Sequence, residues 1–181
     1  MAAERQPPDT LIVQTNLSGA VTDIDEDPDS AGGDWLTAVD DALDTIMRVS
    51  FPTPTGDPNV GAGLQEFRFW VRVGSEAGGN TPTLDVALWE DGSLNTSLQT
   101  AISITSYTGE IVSVTWDATL LGTADGSLVE CFAQGQRSGG SGANRRTVEF
   151  GAVEWNVDYS AGAADPFPAI PRRPMNILLR M

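Results

Sequence analysis

The stretch LQEFRFWVRVG, residues 64–74, alternates without a break. Phe67, Phe69, Val71 and Val73 fall on one parity, and Glu66, Arg68, Trp70 and Arg72 on the other. A period of two places the first set on one face of a strand; a helix cannot segregate them in this way. The pattern recurs at Met47, Val49 and Phe51, at Leu84, Val86 and Leu88, and at Val112, Val114 and Trp116. Breakers stand between the runs. In FPTPTGDPNVGAG (51–63) the prolines and glycines suit neither a helix nor a central strand. Asp-Gly pairs at 91–92 and 125–126 supply turn geometry ahead of strands. Seven or eight strands of this kind predict an all-β fold: an antiparallel β-sandwich, jelly-roll-like. Only ATLLGTA (118–124) has room for a helical turn.

The last run, RRTVEFGAVEWNVDY (145–159), changes phase in the middle. Val148, Phe150 and Ala152 share one parity, whereas Val153, Trp155, Val157 and Tyr159 share the other. A β-bulge at Gly151 accounts for the switch. With 181 residues the chain is long enough for one well-buried domain. The expected organisation is a flexible N-terminal lead (1–10), a sandwich (11–160) and an extended C-terminal arm (161–181).

Absences limit the chemistry. There is no histidine and no lysine, so imidazole acid–base pairs, Schiff bases and a P-loop lysine are excluded. Cys131 is the only cysteine and reads as a small buried hydrophobe within LVECFAQG. What remains for catalysis is a carboxylate pair of the glycosidase kind, and no substrate-binding cluster singles one out. The expectation is therefore a protein that is not an enzyme. A net charge of −15 argues against nucleic acid as a partner. No apolar run approaches the ~20 residues of a membrane span, and MAAERQPPDT lacks the apolar core of a secretory signal.

Three features call for a function. Residues 21–44 carry nine acidic side chains and no basic one. Such a run is usually solvated. Alternatively Asp23, Asp25, Asp27 and Asp29 offer oxygen ligands to Ca²⁺, although Pro28 and Asp34 rule out an EF-hand loop. The second feature is the polar parity of residues 64–74. Arg68, Trp70 and Arg72, with Trp89 on a neighbouring strand, form a possible platform for a sugar or a partner chain. The plainer alternative is that Trp70 completes a second packed layer while the arginines pair carboxylates. The third is the proline-rich, locally cationic tail DPFPAIPRRPMNILLRM (165–181). Ile170, Met175, Ile177, Leu178, Leu179 and Met181 supply apolar anchors and Arg172 and Arg173 charge, as in a strap that docks on a partner.

Taken in order, NLSGAVTDIDEDPDSAGGDWLTA, RVSFPTPTGDPNVGAGLQEFRFWVR, LWEDG, VTWDATLLGTADGS and RTVEFGAVEWN resemble small β-sandwich virion structural proteins of tailed bacteriophages. The similarity spans residues 11–158 and leaves the tail outside. It implies a capsid decoration (cement) protein or another head or tail accessory, located in the virion. Its partners would be a major capsid protein, a tail component or further copies of itself, and it implies no catalytic residue and no cofactor. The alternative expectation is a glycan-binding or host-attachment module that uses Trp70, Trp89 and the loop tips.

Overall fold

Alternation becomes sheet in a computed structural model that describes residues 2–30, 33–40, 43–61, 63–74, 80–138 and 146–159. In chain order the strands are β1 (Ala2–Gln6), β2 (Thr10–Thr15), β3 (Leu17–Ser18), β4 (Thr37–Ala38), β5 (Thr45–Ser50), β6 (Gln65–Val73), β7 (Thr83–Glu90), β8 (Ser93–Ser103), β9 (Glu110–Trp116), β10 (Val129–Gln136) and β11 (Val148–Tyr159). They form a four-stranded sheet, β1-β11-β6-β9, and a five-stranded sheet, β2-β5-β10-β7-β8, with β3 and β4 as a short pair. Every pairing is antiparallel. The β-sandwich is as expected. Short 3₁₀ turns occur at Val21–Asp23 and at Ala118–Leu120, the latter inside the one segment with room for a helical turn.

The core is formed by the predicted parities. Phe67, Phe69, Val71 and Val73 of β6 face Met47, Val49, Leu84, Val86 and Leu88 of the other sheet, all nearly inaccessible. Aromatic rings fill one end of this core. Phe67 lies 5.3 Å from Trp116 and 5.7 Å from Phe51, and Trp155 lies 5.8 Å from Trp116. The Trp155 indole N–H donates to Oε1 of buried Gln65, whose amide in turn donates to the carbonyls of Asn59 and Asp158. This satisfies the Trp155 indole and the Gln65 amide, while the buried Trp116 indole N–H has no hydrogen-bond partner among the described residues. Cys131 is fully buried and burial pushes its thiol pKa up, in keeping with a packing role.

Local turn chemistry matches the sequence at Asp91-Gly92. Both residues have positive φ (49° and 75°), the signature of a two-residue hairpin turn, and β7 pairs β8 directly across it. The phase change in β11 is a register shift between Phe150 and Ala152, centred on Gly151.

One expectation is corrected. Residues 1–10 are not a loose lead. Ala2–Gln6 form β1 and pair with Tyr159–Trp155, and Thr10 begins β2. Alanine and glutamate are depleted in strands, but an open edge of β11 supplies ladder partners that override propensity. The C-terminal arm, with Ile170, Arg172, Arg173, Met175, Ile177, Leu178, Leu179 and Met181, lies outside the described residues.

β1 covers β11 only as far as Trp155. Beyond it, the acidic segment takes over the edge. Leu36 and Phe150 exchange backbone hydrogen bonds of 2.7 and 3.3 Å, and Val153 N–H donates to the Ile24 carbonyl. Ile24 and Leu36 are both fully buried. The most acidic part of the chain is therefore packed onto the four-stranded sheet.

Candidate functional site

The outer face of the four-stranded sheet carries Glu66, Arg68, Trp70 and Arg72 from β6. Their register partners are Glu149, Ala152, Glu154 and Asn156 on β11 and Ile111, Ser113 and Thr115 on β9. Cross-strand neighbours share a face, so cations and carboxylates meet in register. Arg68 donates to Glu154 at 2.8 Å and forks onto Asp29 at 2.6 and 3.0 Å. Arg5 of β1 reaches Asp27 and Asp29. Arg72 binds Glu149 Oε2 through Nε and Nη2 at 2.8 and 2.7 Å, and Ala38 N–H donates to the other oxygen. These pairs clamp the acidic segment onto the sheet.

The Ca²⁺ expectation fails for the same reason. Asp27 and Asp29 already face guanidinium groups, and one Asp23 oxygen accepts the Ala20 N–H. Asp25 is exposed, and among the described residues no group of three or more acidic or cysteine side chains is placed to hold a metal. The charge run is not wholly solvated either; Asp27 and Asp29 within it pair with arginines distant in sequence.

The clamp has a definite pH signature. The Arg68 hydrogen bond holds Asp29 below the usual carboxylate range, so its contribution is present above that range and lost as pH falls through the lowered pKa. Backbone hydrogen bonds to Thr119 and Ser127 lower Asp117 and Asp125 in the same way. Burial raises Glu154 despite Arg68 beside it, so its contribution runs the other way, growing as pH falls and fading as pH rises. Thermal melts should therefore show stability constant or rising from pH about 7 to about 5, then falling steeply below about 4. A steady decline from neutral pH would contradict this electrostatic assignment.

Where the clamp ends, a cleft of about 730 Å³ opens. Its walls are Trp70 and Arg72 of β6, Gly33, Asp34, Trp35 and Thr37 of the clamped segment, Asp23, and Tyr107 with Thr108 from the β8–β9 connection. Trp35 and Trp70 lie 6.4 Å apart at an interplanar angle of 36°. The Arg72 guanidinium sits 4.1 Å from the Trp35 ring centroid, a cation–π contact that fixes the ring. Tyr107 is 43% exposed, and Ile111, the register partner of Trp70, is 42% exposed.

Backbone chemistry holds this cleft open in advance. Ser106 Oγ accepts the Thr108 and Gly109 N–H groups, and Glu110 accepts those of Thr105 and Ser106. Gly109 has φ +123°, and any Cβ there would meet Trp70 at 2.3 Å. At the Gly151 bulge a Cβ would sit 2.8 Å from Trp70 and 2.9 Å from Trp35. Two glycines thus seat the two indoles. Gly151→Ala should force the rings to move and destabilise the domain by about 1–3 kcal/mol, read as a lowered melting temperature. An unchanged melt would show that the indoles are not seated there.

The expected platform is only partly assembled. Trp70 and Arg72 line the cleft, whereas Arg68 is committed to Asp29 and Glu154. Trp89 belongs to the opposite sheet, where it stacks on Phe132 at 5.6 Å beneath Arg48. Arg48 pairs with Glu130, and the adjoining hollow, about 270 Å³, is smaller than the cleft. The sequence reading missed Trp35, Tyr107 and Asp34 as site residues.

Fold and site together define a β-sandwich with a preformed aromatic cleft on one sheet face. No protein-family model matches the chain, and no curated protein matches it. A solved structure with a similar fold is the C-terminal CBM6, a carbohydrate-binding module, of LamC, a marine laminarinase from Zobellia galactanivorans. It has a TM-score of 0.46 and 14% identity, and covers 87% of this chain and 100% of that one. The capsid decoration reading is corrected at this point. Arg68 and Arg72 of the expected platform are consumed in internal ion pairs and Trp70 lines a cleft, so this face does not offer the docking surface that reading called for. Among the described residues no helix is long and apolar enough to cross a membrane.

Proposed function

We propose that this protein is a non-catalytic glycan-binding module whose site is the cleft between Trp35, Trp70 and Tyr107. The observation that carries this reading is the combination of two seated indoles and an exposed phenol with Asp34, Thr37 and Thr108 in one preformed cleft. A sugar ring has apolar C–H faces and a polar rim. Aromatic faces remove the former from water while carboxylate and hydroxyl oxygens accept from the latter. Because backbone hydrogen bonds and glycines hold the walls, little conformational entropy is lost on binding. The absence of histidine and lysine supports a role that ends at binding.

Affinity electrophoresis through gels containing polysaccharides tests the reading. Retardation by at least one polysaccharide is expected. Tyr107→Ala, at an exposed position, should weaken it about 5–10-fold without altering the melt, in line with a truncated contact at about 1 kcal/mol or more. Unretarded migration in every gel would end the proposal.

A further inference from the structure

Resting on that reading, we propose that the cleft selects uncharged glycans and rejects sulfated or carboxylated ones, with Asp34 as the residue that sets the preference.

The cation lining the cleft is Arg72, and it is already committed. Its Nε and Nη2 both reach Glu149 Oε2, and its planar face is covered by Trp35. Glu149 is 5% exposed, so an anion that captured Arg72 would leave a buried carboxylate without its partner. Arg68, the next cation along β6, is held by Asp29 and Glu154 in the same manner. Among the described residues, neither of these two guanidinium groups is therefore free to fork onto a sulfate or a uronate, the geometry by which arginine normally recognises such groups.

Asp34 stands in contrast. It is exposed, lines the cleft, and makes no hydrogen bond or ion pair with any other described residue. Asp23, the other carboxylate of the wall, has one oxygen engaged by Ala20 N–H. A free carboxylate is an acceptor with capacity for more than one hydroxyl donor, and such charge-assisted hydrogen bonds are stronger than neutral ones. The same charge repels an anionic ligand at short range. The net charge of −15 adds a repulsive field at longer range, which salt screens.

The test is a binding panel of neutral polysaccharides (α- and β-glucans, mannan, xylan and galactan), each run beside its sulfated derivative. Wild type and Asp34→Asn are compared, with melting curves as the folding control. A neutral member is expected to bind, and its sulfated derivative to bind about 10-fold more weakly or worse at low salt, with the gap narrowing as salt is added. Asp34→Asn should stay folded, lose affinity for the neutral member and narrow the gap. Equal or tighter binding of a sulfated member, falling as salt is added, would overturn the inference while leaving the glycan-binding reading in place. A variant that keeps both affinity and selectivity would remove Asp34 from it. Failure of every member, neutral and sulfated, would instead sink the glycan-binding reading and this inference with it.

Discussion

Arg68→Ala is expected to lower stability by about 3–5 kcal/mol, the usual consequence of leaving one partner of a buried ion pair uncompensated. The Glu154 side chain is 3% exposed and that of Arg68 13%, so water cannot take the place of the guanidinium. Burial already raises the Glu154 pKa with Arg68 present, and without it the carboxyl would be driven further towards its neutral form. The same substitution leaves Asp29 held by Arg5 alone and loosens the segment that carries Asp34 and Trp35, so ligand binding should fall along with stability. Urea unfolding measures the loss. The double variant Arg68→Met, Glu154→Leu should recover most of it, since an apolar pair replaces a buried ionic one at little net cost. A loss below about 1 kcal/mol for Arg68→Ala would mean that the pair behaves as a solvated surface contact.

Trp35→Ala should abolish most of the glycan affinity with a much smaller effect on folding. Trp35 forms one wall of the cleft, and its ring also covers the Arg72 guanidinium. Truncating a central aromatic anchor commonly removes 2 kcal/mol or more of binding free energy, about 30-fold in affinity. Trp89→Ala is the matched control: an aromatic deletion on the opposite sheet, stacked on Phe132, which should leave affinity unchanged. Isothermal titration of both variants decides the matter. Loss with Trp89→Ala and retention with Trp35→Ala would move the site to the other face.

What could be read in the sequence was whatever depends on near neighbours. The parity of Phe67, Phe69 and Val71 against Arg68, Trp70 and Arg72 is a local property of an extended chain, and it identified both the core and the outer face. The phase change at Gly151 was equally local, although its use was not. That this glycine seats two indoles depends on Trp35, which is distant in sequence and brought there by a backbone exchange between Leu36 and Phe150. The position of the acidic segment was illegible for a related reason. Asp27 and Asp29 look like candidates for solvent or Ca²⁺ until Arg5 and Arg68, from two other strands, arrive beside them. Trp35 left one faint trace, a lone indole between Gly33-Asp34 and Leu36 in an otherwise acidic stretch. A bulky aromatic flanked by turn residues needs a partner surface, and here that surface is Arg72 and Trp70. β1 left no trace at all, because its strand character comes from the edge it pairs with.

The central claim is that ligand binds in the cleft lined by Trp35, Trp70 and Tyr107, and the chain's own indoles can report it. Its tryptophans, at positions 35, 70, 89, 116 and 155, give separate indole N–H signals in a proton–nitrogen correlation spectrum. Titration with the polysaccharide or oligosaccharide that binds best should shift the Trp35 and Trp70 signals progressively. Trp116 and Trp155, in the core, and Trp89, on the opposite sheet, should stay in place. Shifts confined to Trp89, or binding that leaves Trp35 and Trp70 unmoved, would contradict the account.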